Sequence, residues 1–234
     1  MNFVGGNSYA DDENGHGTAI ASIIKDIAPR SNLFITKIAD KNGDAHASDI
    51  IAGIDWAVKN NVDIITLNVY NRIGKEDLCP VTLAIENAVK KGVVCVLPAG
   101  NSGEDVKNFQ PSNSENAIVV MSCNSKSKPS SFSNWGGDIF ALGEDIATES
   151  IKNPKIGEEM NDERVKVGGT SFASAEVTGA AALLEEKNPL LAPDDIKSIL
   201  WKSSKNKGQY YRGIGELDIE EALKRCPKMK EVII

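Results

Sequence analysis

The chain has 234 residues, 41% of them hydrophobic and 25% charged, with 20 glycines and 9 prolines. A chain of that length buries a substantial core without staples, and that composition excludes a disordered polymer. The formal net charge of −7 disfavours nucleic acid and anionic membrane surfaces as partners, and no stretch is apolar and long enough to span a bilayer.

Ile20, Ile23, Ile24 and Ile27 recur at helical spacing, which predicts an amphipathic helix from near His16 to before Pro29. Leu33 to Ile38 reads as a strand. Ser48 is placed to cap a helix through Ile50, Ile51, Ile54, Ala57 and Val58. Asp63 to Val69 is a β-rich run. Val81 to Lys91 reads as a helix stopped by Gly92. Val93 to Leu97 is an apolar strand that opens into the loop Pro98-Ala99-Gly100-Asn101-Ser102-Gly103. Ala117 to Met121 and Asp138 to Leu142 are further apolar strands, separated by a polar loop from Ser125 to Trp135. Thr170 to Lys187 has the small, apolar pattern of a buried helix. Pro193 opens another at a position that tolerates proline, and Ile219 to Lys224 begins a last one. The tail Glu231-Val232-Ile233-Ile234 is β-rich and capable of adding to a sheet.

Continuous apolar strands alternating with helices predict an α/β fold: a doubly wound, mostly parallel sheet in a three-layer arrangement, with helices on both faces. The chain is read as a single domain over residues 1–234. Sites in such sheets form at the carboxyl ends of the strands, where the polar, glycine-rich segments fall.

The opening MNFVGGNSYADDENG has neither a basic start nor an apolar run, so it does not read as a secretory signal. Cys79, Cys95, Cys123 and Cys226 form no CxxC pair, so no zinc site is expected. Cys95 and Cys123 fall in apolar runs, where cysteine serves as a small hydrophobe. A reducing, cytoplasmic setting is the expectation.

Three segments carry chemistry. Asn14-Gly15-His16-Gly17-Thr18 places an imidazole at a helix start, whose positive dipole end favours the neutral, proton-accepting form. Gly168-Gly169-Thr170-Ser171-Phe172-Ala173 places a hydroxyl at the first turn of a long helix, beside unpaired backbone N–H groups suited to an oxyanion. Asn101 lies just past a buried strand, where a carboxamide can donate to the same developing charge. Singly, each also fits a plain structural role: an incidental histidine, a serine cap and a polar turn.

Together, and in this order, the segments resemble the subtilisin-like serine peptidases. The similar blocks are Gly15 to Ser22 (GHGTAIAS), Pro98 to Gly103 (PAGNSG) and Gly169 to Leu184 (GTSFASAEVTGAAALL). Lesser parallels are Asp63 to Leu67, Phe132 to Gly136 (FSNWG), Asp138 to Ile146 and Gly213 to Ile219. The resemblance implies that Ser171 is the nucleophile, His16 its general base and Asn101 an oxyanion donor with the Ser171 N–H. It further implies a peptide or protein substrate lying against Asn68, Val69, Tyr70 and Gly100.

The resemblance breaks at one point. The family's triad aspartate ends a central strand upstream of the histidine block, and only 15 residues precede His16 here. Phe3-Val4-Gly5-Gly6 is similar to the strand that follows that one in the family. Asp11 and Asp12 read as solvated loop acids rather than substitutes. The strand and its aspartate are expected from an upstream segment or a second chain, unless the fold has rearranged around the tail. Tyr70 stands where the family has glycine, Ala175-Glu176 replace a common Pro-His, and the short Lys25-to-Pro29 connection has no room for a calcium loop. No metal and no cofactor are expected. The reading is therefore a serine endopeptidase. The alternative is an impaired relative that binds extended peptides. A small-molecule α/β domain is disfavoured, because neither a GxGxxG fingerprint nor a P-loop is present.

Overall fold

The computed structural model describes residues 1–5, 9–74, 79–160, 164–206 and 214–228. In chain order the elements are α1 (His16–Ile27), α2 (Ala47–Lys59), β1 (Ile64–Thr66), β2 (Asn71–Arg72), α3 (Pro80–Lys90), β3 (Val94–Pro98), β4 (Phe109–Gln110), β5 (Ile118–Cys123), β6 (Ile139–Leu142), β7 (Ile146–Glu149), β8 (Glu158–Glu159), β9 (Arg164–Val167), α4 (Thr170–Lys187), α5 (Pro193–Ser203) and α6 (Ile219–Arg225).

The central sheet is parallel, in the order β1-β3-β5-β6. Its strands are apolar on both faces because both are covered. Val94 and Val96 face one way and pack with Ile118, Val120 and Ile139 against α4, α5 and α6. Cys95 and Leu97 alternate to the other face and join Ile65 and Leu67 beneath α2 and α3. These are the three predicted layers. Each fully buried Ile, Leu or Val contributes roughly 1.5–3 kcal/mol, so the core rests on β3, β5 and α4.

The helix α4 is buried around most of its circumference. Its small residues let a second helix approach closely: a Cβ on Gly179 would lie 2.7 Å from the Cβ of Ile27 on α1. The pair α1 and α4 thus behaves as one rigid unit, packed on Val165 and Val167 of β9. The antiparallel β7-β9-β8 ribbon has no clear periodic signal in the sequence.

Some expectations fail. Leu33 to Ile38 forms no strand; the segment has a single bridge, from Lys37 to Asn2, and Phe34 and Ile35 are 54% and 51% exposed. The physical reason is that its backbone pairing is short: among the described residues it bonds beside Met1 and Phe3, through Ile35 and Lys37. Phe3 to Gly5 form no strand either; Gly6 lies outside the described residues. Ser48 does not cap α2: His46 occupies that position without a side-chain bond, and the Ser48 hydroxyl turns to Asp49. The tail at 231–234 and Gly213 also lie outside the described residues.

The two edges of the sheet differ. Backbone of Gly215 and Leu217 bonds to Phe140 and covers β6. Among the described residues β1 pairs with β3 alone.

Candidate active site

The carboxyl ends of β1 and β3 and the N-termini of α1 and α4 meet at one end of the sheet. Gly169 precedes α4 with φ at +147° and ψ at 158°, a conformation open essentially to glycine alone. It turns the chain sharply from β9 into the helix and leaves Ser171 in the first turn. Ser171 is buried, at 6% exposure, yet it borders a cleft of about 1320 Å³ that is also lined by His16, Asn68, Tyr70 and Asn101.

His16 opens α1 behind Gly15, whose φ of +101° again suits glycine. Its ring lies 5.4 Å from that of Phe172, the residue after the serine. Burial lowers the His16 pKa below its ordinary 6.5, and the nearby Asp12 carboxylate opposes that shift. The imidazole is therefore neutral near pH 7 and free to accept a proton.

Asp12 is not a solvated loop acid, which corrects the sequence reading. It accepts hydrogen bonds from the N–H of Asn14 (2.9 Å), of Gly15 (2.8 Å) and of Thr18 (2.8 Å), and from the Thr18 hydroxyl (2.7 Å). Burial alone would raise its pKa, but these donors hold it below the usual carboxylate value. It satisfies the Thr18 N–H in the first turn of α1 and, through Asn14 and Gly15, fixes the turn that presents His16. Asp11 is exposed.

Asn101 is oriented by its neighbours. Its Oδ1 accepts from both the N–H and the hydroxyl of Thr170, at 2.9 Å each. Its own N–H donates to the Tyr70 hydroxyl at 3.0 Å. The Gly100 N–H donates to the Thr170 hydroxyl at 3.0 Å. With the oxygen engaged, Nδ2 remains as the donor, 3.4 Å from where a Cβ on Gly169 would stand. That is the polarity an oxyanion needs.

The proposed substrate edge is more crowded than the sequence indicates. The Tyr70 ring packs edge-on against Phe109 and lies 3.2 Å from where a Cβ on Gly100 would stand. Asn68 is tied to α4, its Oδ1 accepting from the Ser174 hydroxyl, which also reaches the Ser171 carbonyl at 2.8 Å. Val69 is partly buried against the α2/α3 core. The Glu176 pKa is pushed up to about 7 by burial, although its carboxylate accepts from the Leu142 N–H at 3.3 Å.

Two contributors escape a sequence reading. Thr170 positions Asn101, and Asn134 folds the Gly100–Glu104 loop by accepting from the N–H of Ser102 and of Glu104 and donating to the Ala99 carbonyl. The signal for the first is the Gly-Thr-Ser run, and for the second a buried asparagine inside FSNWG. Among the described residues, no group of three His, Cys, Asp or Glu converges as a metal site.

The subtilase peptidase family matches residues 1–216. The chain is 30% identical to Subtilisin DY of Bacillus licheniformis over 233 residues, 94% of this chain and 81% of that protein. It is 32% identical to the extracellular serine proteinase of Thermus sp. (strain Rt41A), covering 86% of this chain and 50% of that one. The chain thus spans about half the length of several relatives that it matches. A crystal structure of a cold adapted subtilisin-like serine proteinase superposes with TM-score 0.80 at 26% identity, over 93% of this chain and 78% of that one. A lanthipeptide protease shares the fold, with TM-score 0.83 at 22% identity, over 96% of this chain and 79% of that one. With the sheet order, the Gly-Thr-Ser helix start and the His-Gly-Thr helix start already in place, these matches establish that the chain belongs to the subtilase family of serine peptidases.

Proposed function

We propose that this chain hydrolyses peptide bonds through an acyl-enzyme on Ser171. His16 takes the serine proton as the Ser171 Oγ attacks the scissile carbonyl, and returns it to the leaving amine. Asn101 Nδ2 and the Ser171 N–H hold the tetrahedral oxyanion. The observation that carries this reading is the orientation of Asn101: Thr170 occupies its oxygen twice, so its amide donors are left for a negative charge. A binding module gains nothing from that arrangement.

An extended peptide or protein segment is the proposed substrate, laid against Asn68, Val69, Tyr70 and Gly100 by strand addition. The carboxylate whose field reaches His16 is that of Asp12. It is committed to the start of α1 and favours imidazolium from a distance, without the role of a directly bonded triad partner. The buried Cys95, Cys123 and Cys226, none of them in a disulfide, support a reducing, cytoplasmic setting. Recovery of the protein from outside the cytoplasm with these thiols paired would overturn that placement.

A second reading, peptide binding without hydrolysis, is favoured by the Tyr70 ring over Gly100. Labelling with a fluorophosphonate separates the two. Stoichiometric modification of Ser171 in folded protein supports the peptidase; folded protein that binds peptide and stays unlabelled supports the second reading.

A further inference from the structure

The cleft that reaches Ser171 is lined there by Asn68, Val69, Tyr70 and Asn101, but neither Gly100 nor Phe109 lines it. It opens no recess between the segment 68–70 and the loop that follows β3. Aromatic side chains fill that gap. The Tyr70 ring stands edge-on to Phe109 with centroids 5.8 Å apart, and Phe109 is 2% exposed.

The ring is held from several sides. The strands β2 and β4 keep the two aromatic residues together: Asn71 pairs with Gln110 and Arg72 with Phe109, and the Ile73 N–H donates to the Asn108 carbonyl at 2.8 Å. The Arg72 guanidinium lies 5.1 Å from the centre of the Phe109 ring and pairs with Glu104. The Tyr70 hydroxyl accepts from the Asn101 N–H at 3.0 Å. Swinging the ring out forfeits both the edge-on contact and the bond to Asn101, so Tyr70 is a fixed wall rather than a gate.

The consequence rests on the peptidase reading of Ser171. In that reading the oxyanion points to Asn101 Nδ2 and the leaving amine faces His16, so the residue on the acyl side turns toward Tyr70 and Gly100. Its Cβ is two bonds from the attacked carbon, and its side chain therefore begins beside the Tyr70 ring. We propose that Tyr70, backed by Phe109, occupies the space that this side chain would fill, so that the chain cleaves after residues with small side chains, alanine and glycine, and rejects aromatic and long aliphatic ones. Such a wall selects by clash with the wrong substrate rather than by added contact with the right one. The ring that crowds the substrate edge is then the selector.

The test compares kcat/KM for acetyl-tetraalanine p-nitroanilide with that for the same peptide carrying phenylalanine next to the anilide, on the parent chain, Tyr70→Gly and Tyr70→Phe. A preference for alanine of at least about tenfold in the parent and in Tyr70→Phe, lost or reversed in Tyr70→Gly, supports the proposal. Equal values in the parent, or a preference that survives in Tyr70→Gly or vanishes in Tyr70→Phe, overturns it. Where Tyr70→Gly has no cooperative melting transition, alanine, valine, leucine and phenylalanine anilides on the parent chain decide. Values that fall stepwise with side-chain size support the wall; values independent of size, or rising with it, overturn it. Failure of the peptidase reading is seen separately, as a Ser171 that fluorophosphonate leaves unlabelled. The two peptides, as amides, are then compared by equilibrium binding to the parent and Tyr70→Gly, and the same ratios support or overturn the proposal.

Discussion

Asn101 and Thr170 are joined by two hydrogen bonds of 2.9 Å, both received by the asparagine oxygen. A serine hydroxyl at a helix start and a carboxamide from another loop are thereby held in one fixed relation, since Thr170 is also the neighbour of Ser171 in sequence. Asn101→Ala is expected to lower kcat about 10²–10³-fold with little change in KM, as for the loss of one oxyanion donor. Thr170→Val keeps the volume and removes the hydroxyl. It is expected to cost about tenfold in kcat, with Asn101 left in place but less oriented. Steady-state kinetics on a peptide anilide checks both, and a large rise in KM would count against the oxyanion role.

Ser171→Ala is expected to abolish fluorophosphonate labelling and hydrolysis together while leaving the melting temperature within a few degrees. The Ser174 hydroxyl bond to the Ser171 carbonyl, which helps to seat the first turn of α4, does not depend on the Ser171 side chain. Residual hydrolysis equal to that of the parent chain would show that the activity resides elsewhere.

The pH dependence of His16 has a definite sign. Burial lowers its folded pKa below 6.5 against the opposing charge of Asp12. The neutral base is therefore retained below pH 6.5, and kcat/KM is expected to rise with a midpoint under that value. The linked stability is present above 6.5 and lost as pH falls through the folded pKa. Asp12→Asn removes the opposing charge, so the midpoint moves further down. It also weakens the start of α1 by about 1 kcal/mol, as loss of a cap does. An upward shift of the midpoint in Asp12→Asn would contradict this account.

Glu176 has the opposite dependence. Its folded pKa is raised from 4.5 to about 7 by burial. Its contribution to stability is present below 4.5 and lost as pH rises toward 7. Glu176→Gln keeps an oxygen for the Leu142 N–H and carries no charge. Its melting temperature is expected to match the parent at low pH and exceed it above pH 7. Parallel melting curves across that range would show that Glu176 is solvated.

The layered α/β plan and the three segments proposed to carry the chemistry are legible in the sequence. Apolar period, small-residue helices and glycines with restricted backbone are local properties, written in neighbouring residues such as Val93 to Leu97 and Gly169-Thr170-Ser171. What Asp12, Thr170 and Asn134 do emerges from the folded arrangement, because each acts on a partner through orientation rather than through composition. Asp12 reads as a loop acid until the turn brings four donors to it. The segment from Leu33 to Ile38 has strand composition, yet it forms no strand, since pairing depends on a second row of backbone groups that no local sequence supplies.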